Sequence, residues 1–145
     1  MRGDDEALLA WRALLNAHAR ATKQISRELG EAGLPDLAIY DVLWTLYRAD
    51  GRRLRIRELA NAVVLSSTGM TRFVDRLERD GLVTREAVPG DRRGAYAVIT
   101  DEGVALLRRM WPVYKRGIAR YFTDAVEDPA ALRDMLDRVG TDPSA

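Results

Sequence analysis

The segment from Ile56 to Thr100, IRELANAVVLSSTGMTRFVDRLERDGLVTREAVPGDRRGAYAVIT, decides how the 145-residue chain is read. Arg57 to about Val63 carries a short helical pattern. Ser66 suits the N-cap of a second helix running to Asp80, because its hydroxyl can satisfy an orphan backbone N–H of the first turn, and Gly81 closes that helix. Leu82–Val88 and Ala95–Thr100 alternate as two strands, with Pro89-Gly90-Asp91 as the turn between them. Helix, tight turn, helix and hairpin make the outline of a winged helix-turn-helix.

Helical geometry divides the second helix. At ~100° per residue, Met70, Phe73, Val74 and Leu77 fall on one side, and Thr68, Arg72, Asp75, Arg76 and Arg79 on the other, with Thr71 at the margin. An apolar back and a front of hydroxyls and guanidiniums suit a helix laid in the major groove of DNA, where its N-terminal residues reach base edges. Ser67, Thr68, Thr71 and Arg72 are therefore expected at bases, Arg76 and Arg79 at phosphates, and Ser66 beside them at the cap. Gly69 costs about 1 kcal/mol of helix propensity but lets the backbone approach DNA closely. In the hairpin, Arg92 and Arg93 sit on a short projecting turn from which a side chain can enter a minor groove. Asp91 is expected to orient an arginine, either Arg93 itself or one on the second helix.

Charge collects in the same place. The net charge is +1, but residues 51–100 hold ten arginines against six acids, whereas the flanking segments are each slightly negative. Such concentration is the electrostatic footprint of a nucleic-acid surface. The rest of the composition excludes other chemistries. With no cysteine there are no disulfides or thiolate sites, and the cytoplasm is the expected compartment. A lone His18 leaves a protein-held transition metal short of ligands. No Ser-His-Asp set can be built around it and no phosphate-cradling glycine loop is present, so neither an enzyme nor a cofactor is expected. No apolar run reaches the roughly 18 residues of a membrane span, and the acidic start Asp4-Asp5-Glu6 does not suggest export.

Outward from the core segment the chain is helical. Asp4 to about Glu31 carries a stripe of Leu8, Trp11, Leu15, His18, Thr22, Ile25 and Leu29, stopped by Gly30 and Gly33. Asp36–Ala49 forms the next helix, followed by the short extended piece RRLRI. Thr100 caps a helix to about Phe122, with Pro112 inside it expected to kink it. Asp128-Pro129 starts a last helix, to Gly140. The fold class is mainly α with a small β-hairpin wing. It is one domain, 1–145, with a reading part at 36–100 and dimerisation helices at 4–31 and 101–140. Leu8, Trp11, Leu15, Met110, Trp111, Ile118, Tyr121, Phe122, Leu132 and Leu136 supply more apolar surface than self-capping needs. A homodimer is therefore expected, its two readers ~34 Å apart on a palindrome. Trp11, His18, Tyr40, Trp44 and Tyr114 are candidates for a pocket taking a small aromatic or lipophilic effector, with plain core as the competing role.

The segment resembles the multiple-antibiotic-resistance regulator (MarR) family of bacterial winged-helix transcription factors. The resemblance rests on ELA at Glu58–Ala60, LS at Leu65-Ser66, TRFVDRLERDGLVTRE from Thr71, DRR at Asp91–Arg93 and TDEG at Thr100–Gly103, about a third of the chain. It implies a homodimer whose first, fifth and sixth helices interlock, with Arg93 of each wing in the minor groove. It also implies repression relieved when a small molecule binds between the dimerisation and DNA-binding parts. Ser67 stands where many members carry proline, which leaves the docking intact and bears on base preference. The competing function is a winged helix used as a protein-interaction or architectural module without an operator. The arginines and hydroxyls of the open helix face argue against it.

Overall fold

The computed structural model describes residues 2–65, 69–142 and 144. Its elements are α1 (Arg2–Glu31), α2 (Leu37–Arg48), β1 (Arg53–Arg55), α3 (Ile56–Ala62), α4 (Met70–Arg79), β2 (Val83–Val88), β3 (Asp91–Ile99), α5 (Asp101–Tyr121) and α6 (Pro129–Leu136). Mainly helical with a small antiparallel sheet, this is the winged helix-turn-helix read from the sequence.

Local chemistry sets most boundaries. The Asp36 carboxylate accepts the Ala38 N–H at the start of α2, and Asp128 accepts the Ala131 N–H before Pro129 opens α6. Thr100 works twice. Its hydroxyl accepts the Gly103 N–H at 3.1 Å, capping α5, and donates to the Gly81 carbonyl at 2.6 Å, tying the head of α5 to the exit of α4. α5 runs on through Pro112 as one helix, and α6 gives way to turns after Leu136 rather than reaching Gly140.

The core lies where α1, α2, α3, α4 and α5 meet the sheet. Leu29, Leu43, Leu46, Leu59, Val74, Leu77 and Met110 are wholly buried there. α1 and α5 approach so closely that a Cβ on Gly117 would lie 2.8 Å from Ile25 Cγ1, so only glycine fits without a shift. The contact is reinforced at its rim. Tyr121 donates its hydroxyl to Glu28 at 2.6 Å and Arg120 donates to the same carboxylate oxygen at 2.8 Å. The Tyr121 hydrogen bond, followed by the Arg120 contact, holds the Glu28 carboxyl below its usual range against the opposing effect of desolvation.

Several further expectations change. α4 starts at Met70, and its cap position is Gly69 in the left-handed region (φ +68°), so Gly69 carries no mid-helix cost. Ser66, Ser67 and Thr68 themselves lie outside the described residues. The hairpin is part of a three-stranded sheet in the order β1-β3-β2, because the RRLRI piece pairs with β3 through Arg53↔Val98, Leu54↔Ala97 and Arg55↔Tyr96. Edge groups of β3 are thereby satisfied on both sides. β3 also begins at Asp91, so Arg92 and Arg93 follow a turn of only Pro89 and Gly90.

The long stripe on α1 is divided as well. Ile25 and Leu29 are in the core, whereas Leu8, Trp11 and Leu15 are about half exposed. Met110, assigned from sequence to the shared apolar surface, is instead fully buried in its own protomer, and Ile118 and Tyr121 are half-buried against that same core.

Candidate nucleic-acid interface

α4 has the two faces its sequence predicts. Met70, Val74 and Leu77 are buried and Phe73 packs at the core margin, while Thr71, Arg72, Asp75, Arg76 and Arg79 are exposed. The apolar spacing fixes this orientation: turning the helix would expose three buried side chains, each worth about 1.5–3 kcal/mol.

Two acids stand among the cations of that open side, and both are engaged by one residue the sequence reading missed. Arg85 of β2 donates to the Asp75 carboxylate, to Glu78 Oε1 at 3.0 Å and to the Thr71 carbonyl at 3.4 Å. Its backbone N–H donates to the other Glu78 oxygen at 3.0 Å. Partial burial disfavours the charged guanidinium, but the carboxylate hydrogen bonds outweigh it and raise the pKa of Arg85. Arg85 was legible only as one more arginine on a strand. Its partners depend on how β2 lies across α4.

In the wing, Asp91 Oδ1 accepts the backbone N–H groups of Arg93 and Gly94, each at 3.1 Å, and Oδ2 faces the Arg55 guanidinium at 3.8 Å. Of the two arginine partners expected for Asp91, Arg93 is held through its backbone N–H, and no residue of α4 is involved; the guanidinium facing the carboxylate is that of Arg55, at the end of β1. The side-chain turn is tight. A Cβ on Gly94 would fall 2.4 Å from Asp91 Oδ2, so any larger residue there would push the Asp91 carboxylate out of this position. The strands resume regular pairing at Ala87↔Ala95, while Val88 pairs with Asp91. Arg92, Arg93 and Gly94 therefore form an irregular excursion at the tip, and both arginines are exposed.

Between α3, the head of α4 and the wing lies a groove of about 930 Å³. Its lining includes Arg55, Arg57, Arg72, Arg85 and Arg93, with Asp91 the only acid among the described lining residues and Thr71 on its wall. The structure brings together Thr71, Arg72, Asp91 and Arg93 of the predicted set. Arg76, Arg79 and Arg92 lie outside the groove lining, and Arg55 and Arg57 join it from a segment read only as scaffold. A cationic concavity between a reading helix and a wing fits an anionic backbone passing between two grooves.

A second cavity, of about 820 Å³, opens between α2, α5 and the α3–α4 connection. Tyr40, Trp44 and Tyr114 line it as anticipated, together with Tyr47, Trp111 and Arg108. Tyr40 meets Tyr114 edge-on at 4.8 Å and stacks towards Trp44 and Trp111 at 6.3 and 6.5 Å. Burial pushes up the pKa of both tyrosines, and the Asp41 charge pushes Tyr114 further. Trp11 and His18 are not at this cavity: both are exposed on α1. They share a helical stripe with core residues, but α1 leaves the core before reaching them. Asp41 is on the cavity wall beside Val64 and Leu65, which also line it. Its Oδ2 accepts the Val64 and Leu65 N–H groups at 2.7 and 2.8 Å.

A helix-turn-helix with an arginine-bearing second helix, flanked by a basic wing, defines a winged-helix DNA-binding transcriptional regulator. The MarR family model matches residues 37–94, from the start of α2 to Gly94 in the wing. The uncharacterized HTH-type transcriptional regulator YkoM of Bacillus subtilis is 33% identical over 119 residues, covering 79% of this chain and 75% of its own. Among solved structures, AbsC, a MarR family transcriptional regulator from Streptomyces coelicolor, is 31% identical with a TM-score of 0.77, over 92% of this chain and 88% of that one. A further MarR family regulator from that organism, solved in complex with DNA, is 32% identical with a TM-score of 0.77, over 92% and 82%. The chain belongs to the MarR family.

Proposed function

We propose that the protein is a homodimeric repressor of a palindromic operator, relieved by a small aromatic or lipophilic ligand, and that it has no catalytic activity of its own. The observation that carries the DNA reading is the arginine-lined groove between α4 and the wing. Thr71 and Arg72 at the head of α4 then read base edges, Arg76 and Arg79 grip phosphate, and Arg93 enters the minor groove with Arg92 beside it. Ser66, Ser67 and Thr68 belong to the same reading.

Pairing is supported by what the protomer leaves uncovered. Leu8, Trp11 and Leu15 of α1, Phe122 after α5, and Met135, Leu136 and Val139 in and after α6 are all exposed. One occupant covers them all, a second copy, joining residues 4–31 and 101–140 of each chain and leaving 36–100 to read a half-site.

Relief by ligand is supported by Asp41. A molecule in the aromatic cavity lies against the residue whose carboxylate holds Val64 and Leu65, on the approach to α4. Displacing that carboxylate would free the approach to the reading helix.

A mobility-shift titration with the DNA upstream of the protein's own gene tests the first part. A band that survives excess unrelated competitor at moderate salt is expected. No preference over competitor would leave an architectural winged helix without an operator.

A further inference from the structure

We infer that Arg85 is a positioning residue that does not touch DNA: it neutralises Asp75 and Glu78 so that the reading face of α4 meets phosphate as a cation. Position alone suggests otherwise. Arg85 lines the groove with Arg55, Arg57, Arg72 and Arg93, where an arginine is naturally taken for a phosphate contact.

Its geometry differs from theirs. The guanidinium donates to Asp75, Glu78 and the Thr71 carbonyl, and it is 27% exposed while the two carboxylates are 52% and 42% exposed. Within α4, Asp75 and Glu78 are the two acids, set against Arg72, Arg76 and Arg79. Left bare, they would face the polyanion from the same helix that must approach it. Arg85 also carries the reading face and the root of the wing as one unit, because its backbone N–H is bound to Glu78 as well.

The inference rests on α4 being the DNA-contacting helix, so the wild-type chain is titrated first on the operator probe and on an unrelated duplex. Failure to bind either defeats that underlying reading before any variant is compared. Arg85→Gln is expected to weaken binding by roughly tenfold or more, since two unscreened carboxylates then oppose phosphate.

The decisive variant adds Asp75→Asn and Glu78→Gln to Arg85→Gln. Removing the anions should restore affinity to within about threefold of wild type and leave the salt dependence unchanged, because no phosphate contact was lost. If Arg85 grips phosphate, the triple variant stays weak and its log–log salt slope falls by about one. If Arg85 is only a mechanical staple, the triple variant stays weak with its slope unchanged. Either result overturns the proposal.

Asp75→Asn/Glu78→Gln in the Arg85 background covers the case in which Arg85→Gln does not fold. Releasing the guanidinium should strengthen binding to the unrelated duplex and steepen its salt dependence. Unchanged or weaker binding to that duplex overturns the proposal.

Discussion

At the tip of the wing the Asp91 carboxylate accepts two backbone N–H groups and faces Arg55, so one side chain sets both the shape of the turn and the root it leans on. Asp91→Ala should lower thermal stability modestly, by about 1–3 kcal/mol, since it removes two hydrogen bonds to backbone N–H groups as well as a weak ion pair. It should weaken DNA binding, because Arg93 loses its fixed presentation. Melting curves and mobility shifts on the same preparation check both halves. Arg72→Ala should cost about 1–3 kcal/mol of binding and relax discrimination at a single base position if its grip is bidentate. Binding assayed against a set of single-base operator variants reads this directly. The sequence named Asp91 as a residue that orients Arg93 but missed its guanidinium partner, Arg55. Arg55 and Asp91 are 36 positions apart, and only the β1–β3 pairing brings them together.

Among the elements, α4 was the most legible, because an amphipathic helix declares its buried side by spacing alone. Its start was not, since Gly69 adopts a positive φ that propensity does not foresee. The junction of α4, β3 and α5 hangs on Thr100. Thr100→Ala removes the α5 cap and the bond to the Gly81 carbonyl, and should cost about 0.5–2 kcal/mol in denaturant unfolding. An unchanged midpoint would mean the cap is replaced by water. The α2 wall of the aromatic cavity was legible at Tyr40 and Trp44, one helical turn apart. Trp111 and Arg108 were not, because their place there depends on how α5 crosses α2. Asp41→Ala should raise amide exchange at Val64 and Leu65 while leaving α2 protected, as it frees two N–H groups from a single acceptor.

For the whole molecule, two predictions concern the helical body. In the proposed dimer, Leu15→Glu places a charge on a half-exposed position of α1, so the protomer should keep its helical content while light scattering shows the proposed dimer mass halved. Retention of the dimer would remove this part of α1 from the interface. The Glu28 carboxyl has a folded pKa held below its unfolded value, so the unfolded chain takes up the proton more readily. Its stabilising contribution is present above the ordinary carboxylate range and is lost as pH falls through that range towards the folded value. Glu28→Gln should therefore flatten the acid limb of the melting-temperature profile. The sequence by itself determined the order of helices, the packed and open sides of α4 and the basic wing, because periodicity, caps and charge are local properties of the chain; the family came from the resemblance of its motifs. Tertiary structure alone decided that Arg85 masks the acids of α4, that β1 closes the wing sheet and that Asp41 joins the aromatic cavity to the approach of the reading helix. Each joins segments whose relative placement is set by packing of the shared core, which no local pattern encodes.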